Sequence, residues 1–200
     1  MTPAVPDEKA RIRDLVRATR CERTERAGGA PARDEMQRAE SGVNEQLRAL
    51  IARLGVSAVS CFASTAREPG TRSFIRWACA TGIDLILPVS RPDGLLEWVR
   101  PAGDEYAAGA FGIDEPVGER LPPEALASVD LIIAPACAVD TRGVRLGWGR
   151  GYFDRTIGEL ATRPPLAVVV WDDEIFASLP REKHDVPADY LVTPTRTLEI

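Results

Sequence analysis

The spacing of hydrophobic positions changes along the chain, and it predicts helices and strands in a β-α-β order. Apolar residues recur every three or four positions in residues 7–26 and 33–54, which predicts two N-terminal helices. Short apolar runs at residues 56–63 and 84–89 are typical of buried strands, and a helical pattern at residues 71–80 lies between them. This order with short links favours a parallel sheet covered by helices.

The second half of the chain continues the pattern after one long interruption. Residues 95–99 predict an antiparallel strand near a sheet edge. Residues 100–125 are rich in glycine, proline and acidic side chains, which predicts a long ordered loop of the kind that often carries function. Apolar runs at residues 130–135 and 167–171 predict two further strands, and residues 185–192 predict a final turn and short strand.

The first predicted helix combines a narrow apolar stripe with several cations. The stripe consists of Ile12, Leu15, Val16 and Thr19. Lys9 is one of two lysines in a chain that otherwise uses arginine, so it is a candidate for a role that arginine cannot perform. Lys9, Arg11 and Arg13 either contact a phosphate group or form a solvated helix face, and the charge pattern leaves both interpretations open.

Length and composition predict a single domain that spans residues 1–200. The hydrophobic share is 44% and the charged share 28%, as in ordinary soluble proteins. A net charge of −5 argues against general affinity for nucleic acid or an acidic membrane surface. No run of about eighteen apolar residues is present, and the N-terminal residues are charged, so we expect no membrane span and a cytoplasmic location.

The scarce residue types exclude several kinds of chemistry. His184 is the single histidine, and the chain has no Gly-x-Ser-x-Gly motif, which argues against histidine-rich zinc sites and Ser-His-Asp catalysis. The four cysteines are scattered without a Cys-x-x-Cys pair, so they predict neither a zinc site nor a disulfide scaffold.

Residues 143–155 are the candidate for an anion site. They hold four glycines, three arginines and one aspartate where a loop is expected to enter a helix at residues 152–160. Glycines let backbone N–H groups approach a phosphate, and a helix begins with its positive dipole end. The spacing of Gly147, Gly149 and Gly151 fits neither the dinucleotide fingerprint nor a Walker A loop. A glycine-rich surface turn with solvated arginines therefore stays open as an alternative.

Several motifs, in order along the chain, resemble those of the 5-formyltetrahydrofolate cyclo-ligase family. The segment Arg-Leu-Gly-Trp-Gly-Arg-Gly-Tyr-Phe-Asp-Arg at residues 145–155, preceded by Asp-Leu-Ile-Ile-Ala-Pro at 130–135, is similar to the family signature. Further matching segments are residues 9–13, 68–71, 87–88, 112–116 and 184–189. The resemblance implies a three-layer α/β/α sandwich with a mostly parallel central sheet, in agreement with the β-α-β order, and a monomer.

The family also implies a reaction. Its members close 5-formyltetrahydrofolate to 5,10-methenyltetrahydrofolate with ATP and Mg²⁺, releasing ADP and phosphate, by phosphorylation of the formyl oxygen. Such a transfer needs charge neutralisation on the γ-phosphate more than covalent help from the protein. Alternatives are a divergent member that acts on another formyl-amide substrate and a non-catalytic protein that binds folate or nucleotide.

The resemblance implies roles for individual positions. ATP binding is implied for Lys9, Arg13, Arg145, Leu146, Gly147, Trp148, Gly149, Arg150, Gly151, Tyr152 and Phe153. Binding of the folate substrate is implied for Glu68, Trp148, Gly149, Arg150, Gly151 and Tyr152. Catalysis is implied for Arg145 and Tyr152, and magnesium binding for Asp154 and Asp189. Glu115 also matches a family position, but without an assigned role.

Ordinary structural interpretations exist beside these roles, and the loop departs from the family pattern. Without the resemblance, Glu68 would be a loop acid, Asp154 an acid that stabilises a helix N-terminus, and Asp189 a turn residue. Trp148 and Phe153 stand where tyrosine is common in the family, and Arg150 stands where a small residue is common.

Overall fold

The computed structural model describes residues 5–26, 30–109, 114–182 and 185–200. Residues 112–113 and His184, which belong to the segments that match the family, lie outside these ranges. Within the described residues, no helix combines the length and the apolar content that crossing a bilayer requires.

The helices agree closely with the predicted segments. They are α1 (Val5–Arg26), α2 (Ala30–Leu54), α3 (Arg72–Thr81) and α4 (Tyr152–Gly158), with short 3₁₀ helices at Pro123–Ser128 and Asp172–Glu174. In α2, Val43, Leu47 and Leu50 lie at helical spacing and are almost fully buried. Gly82 caps the C-terminus of α3, and its φ of 77° is the left-handed conformation that glycine adopts without strain.

The inner face of α1 is more polar than its apolar stripe predicts. Val16 is buried, but Leu15, which belongs to the same predicted stripe, is 58% exposed. Lys9 and Arg20 are buried instead, because acidic residues far along the chain pair with them. A periodicity that counts only apolar residues cannot detect a helix face buried through ion pairs.

The strands form a large sheet and a small one within the described residues. The large sheet has eight strands in the order β11-β10-β8-β5-β1-β2-β3-β4, and the small one has the order β7-β6-β9. The bounds are β1 Ala58–Ser60, β2 Asp84–Ser90, β3 Leu96–Ala108, β4 Asp114–Leu121, β5 Leu131–Pro135, β6 Ala138–Asp140, β7 Arg145–Leu146, β8 Leu166–Val169, β9 Ile175–Phe176, β10 Tyr190–Val192 and β11 Thr197–Glu199. Strands β10, β8, β5, β1 and β2 run parallel, and β3, β4 and β11 are antiparallel to their neighbours.

The expectation of a long loop at residues 100–125 was wrong. Much of this region forms the hairpin of β3 and β4 at the sheet edge, with pairs from Trp98–Leu121 to Ala108–Asp114. Backbone pairing holds these strands although five of the eight β4 residues are exposed. Gly118 permits the close approach, since a Cβ there would lie 2.1 Å from the carbonyl oxygen of Arg100.

Alternating residues of the central strands fill two apolar cores, one on each face of the sheet. In β5, Leu131 and Ile133 pack with α2 and α3, while Ile132 and Ala134 pack with Ile157 of α4 on the opposite face. Helices therefore cover both faces of a mostly parallel sheet, and the predicted three-layer α/β/α arrangement is confirmed.

Candidate active site

A cavity of about 220 Å³ lies at the carboxyl ends of the central parallel strands. Phe62, which follows β1, and Pro135, the last residue of β5, both line it. The strand order reverses between β1 and β5, because the chain continues to β2 on one side and to β8 on the other. Such a switch point is where open α/β sheets bind ligands.

The walls of the cavity are largely apolar, with a few charged groups. This composition is typical of a site that binds and orients a small molecule. The apolar and aromatic lining includes Phe62, Pro88, Leu96, Pro116, Trp148, Tyr152 and Phe153, and the charged lining is Glu68, Asp114, Glu115, Arg145, Arg150 and Asp154.

Most of the predicted site residues meet at this cavity. The predicted residues that line it are Glu68, Arg145, Gly147, Trp148, Arg150, Gly151, Tyr152, Phe153 and Asp154. Leu146 and Gly149 belong to the same segment but lie outside the described lining. Sequence reasoning missed Phe62, Leu96 and Asp114, because they come from separate strand ends and carry no motif of their own.

The predicted glycine-rich loop connects β7 to α4 at residues 147–151. Gly149 and Gly151 have φ values of 94° and 69°, a conformation that side chains rarely adopt. Gly147 lies against the metal-site candidate, since a Cβ there would be 3.7 Å from Oδ2 of Asp154. The expected loop-to-helix junction therefore forms one wall of the cavity.

Arg145 and Asp154 form an ion pair beneath this loop. The side chain of Arg145 is only 2% exposed and that of Asp154 is 18% exposed. Burial lowers the pKa of Arg145, while the charges of Asp154 and Asp185 act in the opposite direction. Among the described residues, Nε of Arg145 is buried without a hydrogen-bond partner. A buried guanidinium with a spare N–H group is suited to an anionic ligand.

Lys9 lies in the same charged cluster, although it is outside the described lining of the cavity. Its Nζ donates to Oδ2 of Asp185 at 2.6 Å and to Oε2 of Glu182 at 2.7 Å. Burial alone would lower the pKa of Lys9, but these two carboxylates raise it above its ordinary value. Asp185 therefore acts on both Lys9 and Arg145, a role that sequence reasoning did not assign to it.

Helix α1 lies directly against the glycine-rich loop. Nε of Arg13 donates to the carbonyl oxygen of Gly147 at 2.8 Å. The guanidinium of Arg20 lies 5.0 Å from the ring centroid of Trp148 and donates to both carboxylate oxygens of Glu174. Arg13 thus contacts the loop directly, and Arg20 lies against the ring of Trp148.

The structure does not bring Asp189 to this cluster. Its carboxylate accepts hydrogen bonds from Arg163 at 2.6 and 3.0 Å and from the N–H group of Leu166 at 2.8 Å. Leu166 begins β8, whereas the cavity residue Pro135 pairs with Val169 at the other end of that strand. In the described geometry, Asp189 and Asp154 therefore lie at opposite ends of the parallel strands. Asp185, four residues earlier, instead pairs with Lys9, and its charge opposes the effect of burial, which lowers the pKa of Arg145.

The fold and the cavity define an α/β enzyme with a small-molecule site at the switch point of its sheet. Residues 6–194 match the sequence model of the 5-formyltetrahydrofolate cyclo-ligase family. The chain belongs to this family.

Individual relatives agree with this membership. The 5-formyltetrahydrofolate cyclo-ligase of Mycolicibacterium smegmatis is 35% identical over 162 residues, which cover 78% of this chain and 84% of the relative. The Escherichia coli protein of the same name is 31% identical over 150 residues, covering 70% and 80%.

Solved structures show the same fold. The NMR structure of 5,10-methenyltetrahydrofolate synthetase from Aquifex aeolicus matches with a TM-score of 0.73 and 28% identity, covering 96% of this chain and 92% of that one. A 5,10-methenyltetrahydrofolate synthetase from Mycoplasma pneumoniae matches with a TM-score of 0.68 at 15% identity, covering 94% and 99%. The second likeness concerns the fold alone.

Proposed function

We propose that this protein closes 5-formyltetrahydrofolate to 5,10-methenyltetrahydrofolate at the expense of ATP. The observation that carries the proposal is the cavity at the β1–β5 switch point, where the glycine-rich loop, Glu68 and the buried Arg145 meet in a chain of the cyclo-ligase family. An aromatic and apolar wall with few charged groups suits a flat reduced pterin.

Glu68 is our candidate for recognition of the pterin. Its Oε2 accepts hydrogen bonds from N and Oγ1 of Thr65 at 2.8 and 3.0 Å, which hold the carboxylate at the cavity wall. An ionised carboxylate has further acceptor capacity, and a reduced pterin offers N–H donors. Tyr152 and Trp148 supply aromatic surface to the same cavity.

The cations near the loop support binding of the ATP phosphates. Arg145 and Arg150 line the cavity, Arg13 contacts the loop, and Lys9 pairs with Asp185, whose charge also acts on Arg145. We assign to Arg145 the neutralisation of charge on the transferred phosphoryl group, because its burial strengthens its interaction with an anion. The hydroxyl of Tyr152 donates to the carbonyl oxygen of Arg91 at 3.2 Å, which fixes its ring in the cavity wall.

The acidic residues near Arg145 are too few to bind Mg²⁺ by themselves, but they could bind it together with the phosphates of a nucleotide. The described residues contain no group of three or more acidic, cysteine or histidine side chains arranged for a metal. Mg²⁺ at nucleotide sites needs one or two carboxylates, since phosphate and water oxygens complete its coordination. Asp154 and Asp185, which both act on Arg145, would be those carboxylates. When bound, the ion would add positive charge at the β- and γ-phosphates.

The proposed reaction has two steps. The formyl oxygen forms a bond to the γ-phosphorus while the bond to the bridging oxygen of ADP breaks. N10 then attacks the activated formyl carbon, loses its proton, and phosphate leaves with the former formyl oxygen. The protein binds and orients both substrates, excludes water with its apolar walls, and balances the phosphate charge through Arg145.

The test is direct. We expect the purified protein, mixed with 5-formyltetrahydrofolate, ATP and Mg²⁺, to generate the ultraviolet absorbance of the methenyl product, with no increase when ATP is omitted. An absent increase with active substrates would overturn the proposal. Tight folate binding without that increase would instead indicate a non-catalytic binding protein.

A further inference from the structure

One face of α4 is bonded to the turn that connects β2 and β3. Tyr152 Oη donates to the carbonyl oxygen of Arg91 at 3.2 Å, and the N–H group of Leu96 donates to Oγ1 of Thr156 at 2.9 Å. Nε of Arg155 donates to the carbonyl oxygen of Gly94 at 3.0 Å. Because positions 152, 155 and 156 share one face of a helix, these bonds fix α4 against residues 91–96.

Arg155 differs from its neighbours because it also reaches the glycine-rich loop. Its Nη2 donates to the carbonyl oxygen of Arg150 at 2.7 Å. Arg150 lines one wall of the cavity, and Leu96, at the end of the turn, lines another. A single guanidinium therefore bonds the backbone of the loop and of the turn, each of which contributes a residue to the cavity lining, while Arg155 itself lies outside the described lining.

Gly94 and Gly151 lack side chains where the guanidinium of Arg155 lies. A Cβ at Gly94 would lie 2.6 Å from Nη2 of Arg155, and a Cβ at Gly151 would lie 2.9 Å from its Nη1. Both glycines have positive φ, 87° and 69°. The backbone on each side is thus shaped for close contact with the arginine.

We propose that Arg155 is a positioning residue, which sets the separation between the glycine-rich loop and the β2–β3 turn and so shapes the cavity for the folate substrate. The planar guanidinium presents N–H groups in a fixed fork and can bond both carbonyls at once, whereas a lysine amine is a single point of charge. The substrate named here rests on the proposed function, but the contacts of Arg155 do not.

The kinetic test compares Arg155→Met with Arg155→Lys. Since Arg155 is exposed, water replaces its bonds in the variants and the fold is retained. We expect Arg155→Met to raise the KM for 5-formyltetrahydrofolate about tenfold with a smaller change in kcat, since a displaced wall weakens substrate positioning. Arg155→Lys should recover part of the loss, because it can bond one carbonyl.

Arg53→Met is the matched control. The guanidinium of Arg53 is also exposed, lies 5.5 Å from the ring centroid of Tyr190, and bonds Glu199 away from the cavity. The guanidinium of Arg155 likewise lies 5.6 Å from the ring centroid of Tyr152, so the two arginines make similar contacts with a tyrosine ring. An unchanged KM in Arg155→Met, or an equal rise in Arg53→Met, would overturn the proposal.

Hydrogen exchange supplies a readout that does not depend on activity. We expect faster exchange of the amides of residues 147–151 in Arg155→Met, with unchanged exchange in β5. Unchanged exchange in the loop, or uniformly faster exchange throughout the chain, would contradict the positioning role. If the wild-type protein shows no cyclisation, the proposed function fails, and the exchange result still decides whether Arg155 positions the loop.

A second pair of variants probes the close contact. Gly94→Ala and Gly82→Ala each place a methyl group at a similar positive φ, 87° and 77°. The methyl group at position 94 would collide with the guanidinium of Arg155, whereas no described atom lies within 4 Å of the methyl group at position 82. Gly94→Ala should therefore accelerate loop exchange more than Gly82→Ala does. In an Arg155→Ala background the excess should disappear, and an excess that persists would show that Arg155 is not the contacted group.

Discussion

The buried guanidinium of Arg145 is ion-paired with the carboxylate of Asp154, nine residues further along the chain. Arg145 belongs to β7 and Asp154 to the first turn of α4, so the pair joins the two ends of the glycine-rich loop. A ligand that binds Arg145 or Asp154 would therefore also change the conformation of the loop between them. This coupling makes Asp154 the most informative single position.

We expect Asp154→Asn to lower turnover by about a hundredfold, the scale of losing one charge-stabilising group at a phosphoryl or acyl transfer site. The amide cannot ligate Mg²⁺ as a carboxylate does, so the variant should also need more Mg²⁺. A magnesium titration of the absorbance assay measures both effects. Glu159→Gln, which changes an exposed acid after α4, is the control. Wild-type turnover at limiting Mg²⁺ would remove Asp154 from the metal site.

Replacing Lys9 should affect ATP more than folate. Lys9→Met removes the ammonium group that lies between Asp185 and Glu182, and with it a positive charge that we assign to binding of the ATP phosphates. We expect the KM for ATP to rise about tenfold, the effect of one lost charged hydrogen bond. Arg11→Met changes an exposed cation on the same helix and should leave the KM unchanged. An unaltered ATP titration of Lys9→Met would restrict Lys9 to a structural role.

The Asp140 carboxylate should contribute to stability in a pH-dependent way. It is fully buried and accepts hydrogen bonds from Arg142 and from the N–H groups of Val144 and Leu179. Burial alone raises the pKa of Asp140, but these hydrogen bonds lower it below its ordinary value. The contribution is therefore present above the unfolded pKa of about 4 and is lost as the pH falls through the folded pKa.

We expect Asp140→Asn to lower the free energy of unfolding at neutral pH by about 3 kcal/mol, because buried N–H donors lose their acceptor. Urea denaturation at neutral pH and at successively lower pH measures the difference from wild type. That difference should shrink as the pH falls below about 4. A difference that is independent of pH would show that the ionised form contributes nothing.

The buried Arg20–Glu174 pair should be far more important for stability than its exposed neighbour. Glu174→Ala leaves the guanidinium of Arg20 buried without its carboxylate, and we expect a loss of about 3–5 kcal/mol. Asp173→Ala breaks the ion pair with Arg23. Because the Asp173 side chain is 52% exposed, we expect this variant to lower the free energy of unfolding by at most about 1 kcal/mol. Thermal and urea denaturation of both variants test this contrast. Equal losses would contradict it.

The local pattern of apolar residues was sufficient to predict most of the helices and central strands. The spacing in α2 and the apolar run of β5 depend on residues that are near in sequence, and both elements form where predicted. The start of β3 was predicted correctly as an antiparallel strand near the sheet edge. The rest of the β3–β4 hairpin was not predicted, because backbone pairing stabilises its strands and their composition gives no apolar pattern. The motif of residues 145–155 identified the family and one cavity wall, but the opposite wall comes from the ends of β1, β2 and β4.

The sequence by itself determined the family, the helices and central parallel strands, and the loop that lines the cavity. Only the tertiary structure decided which charges are buried and which carboxylates meet. It placed Asp185, not Asp189, beside Lys9 and paired Arg145 with Asp154. The physical reason is that hydrophobic periodicity is a local property, whereas a buried charge requires a partner that folding brings from a distant part of the chain.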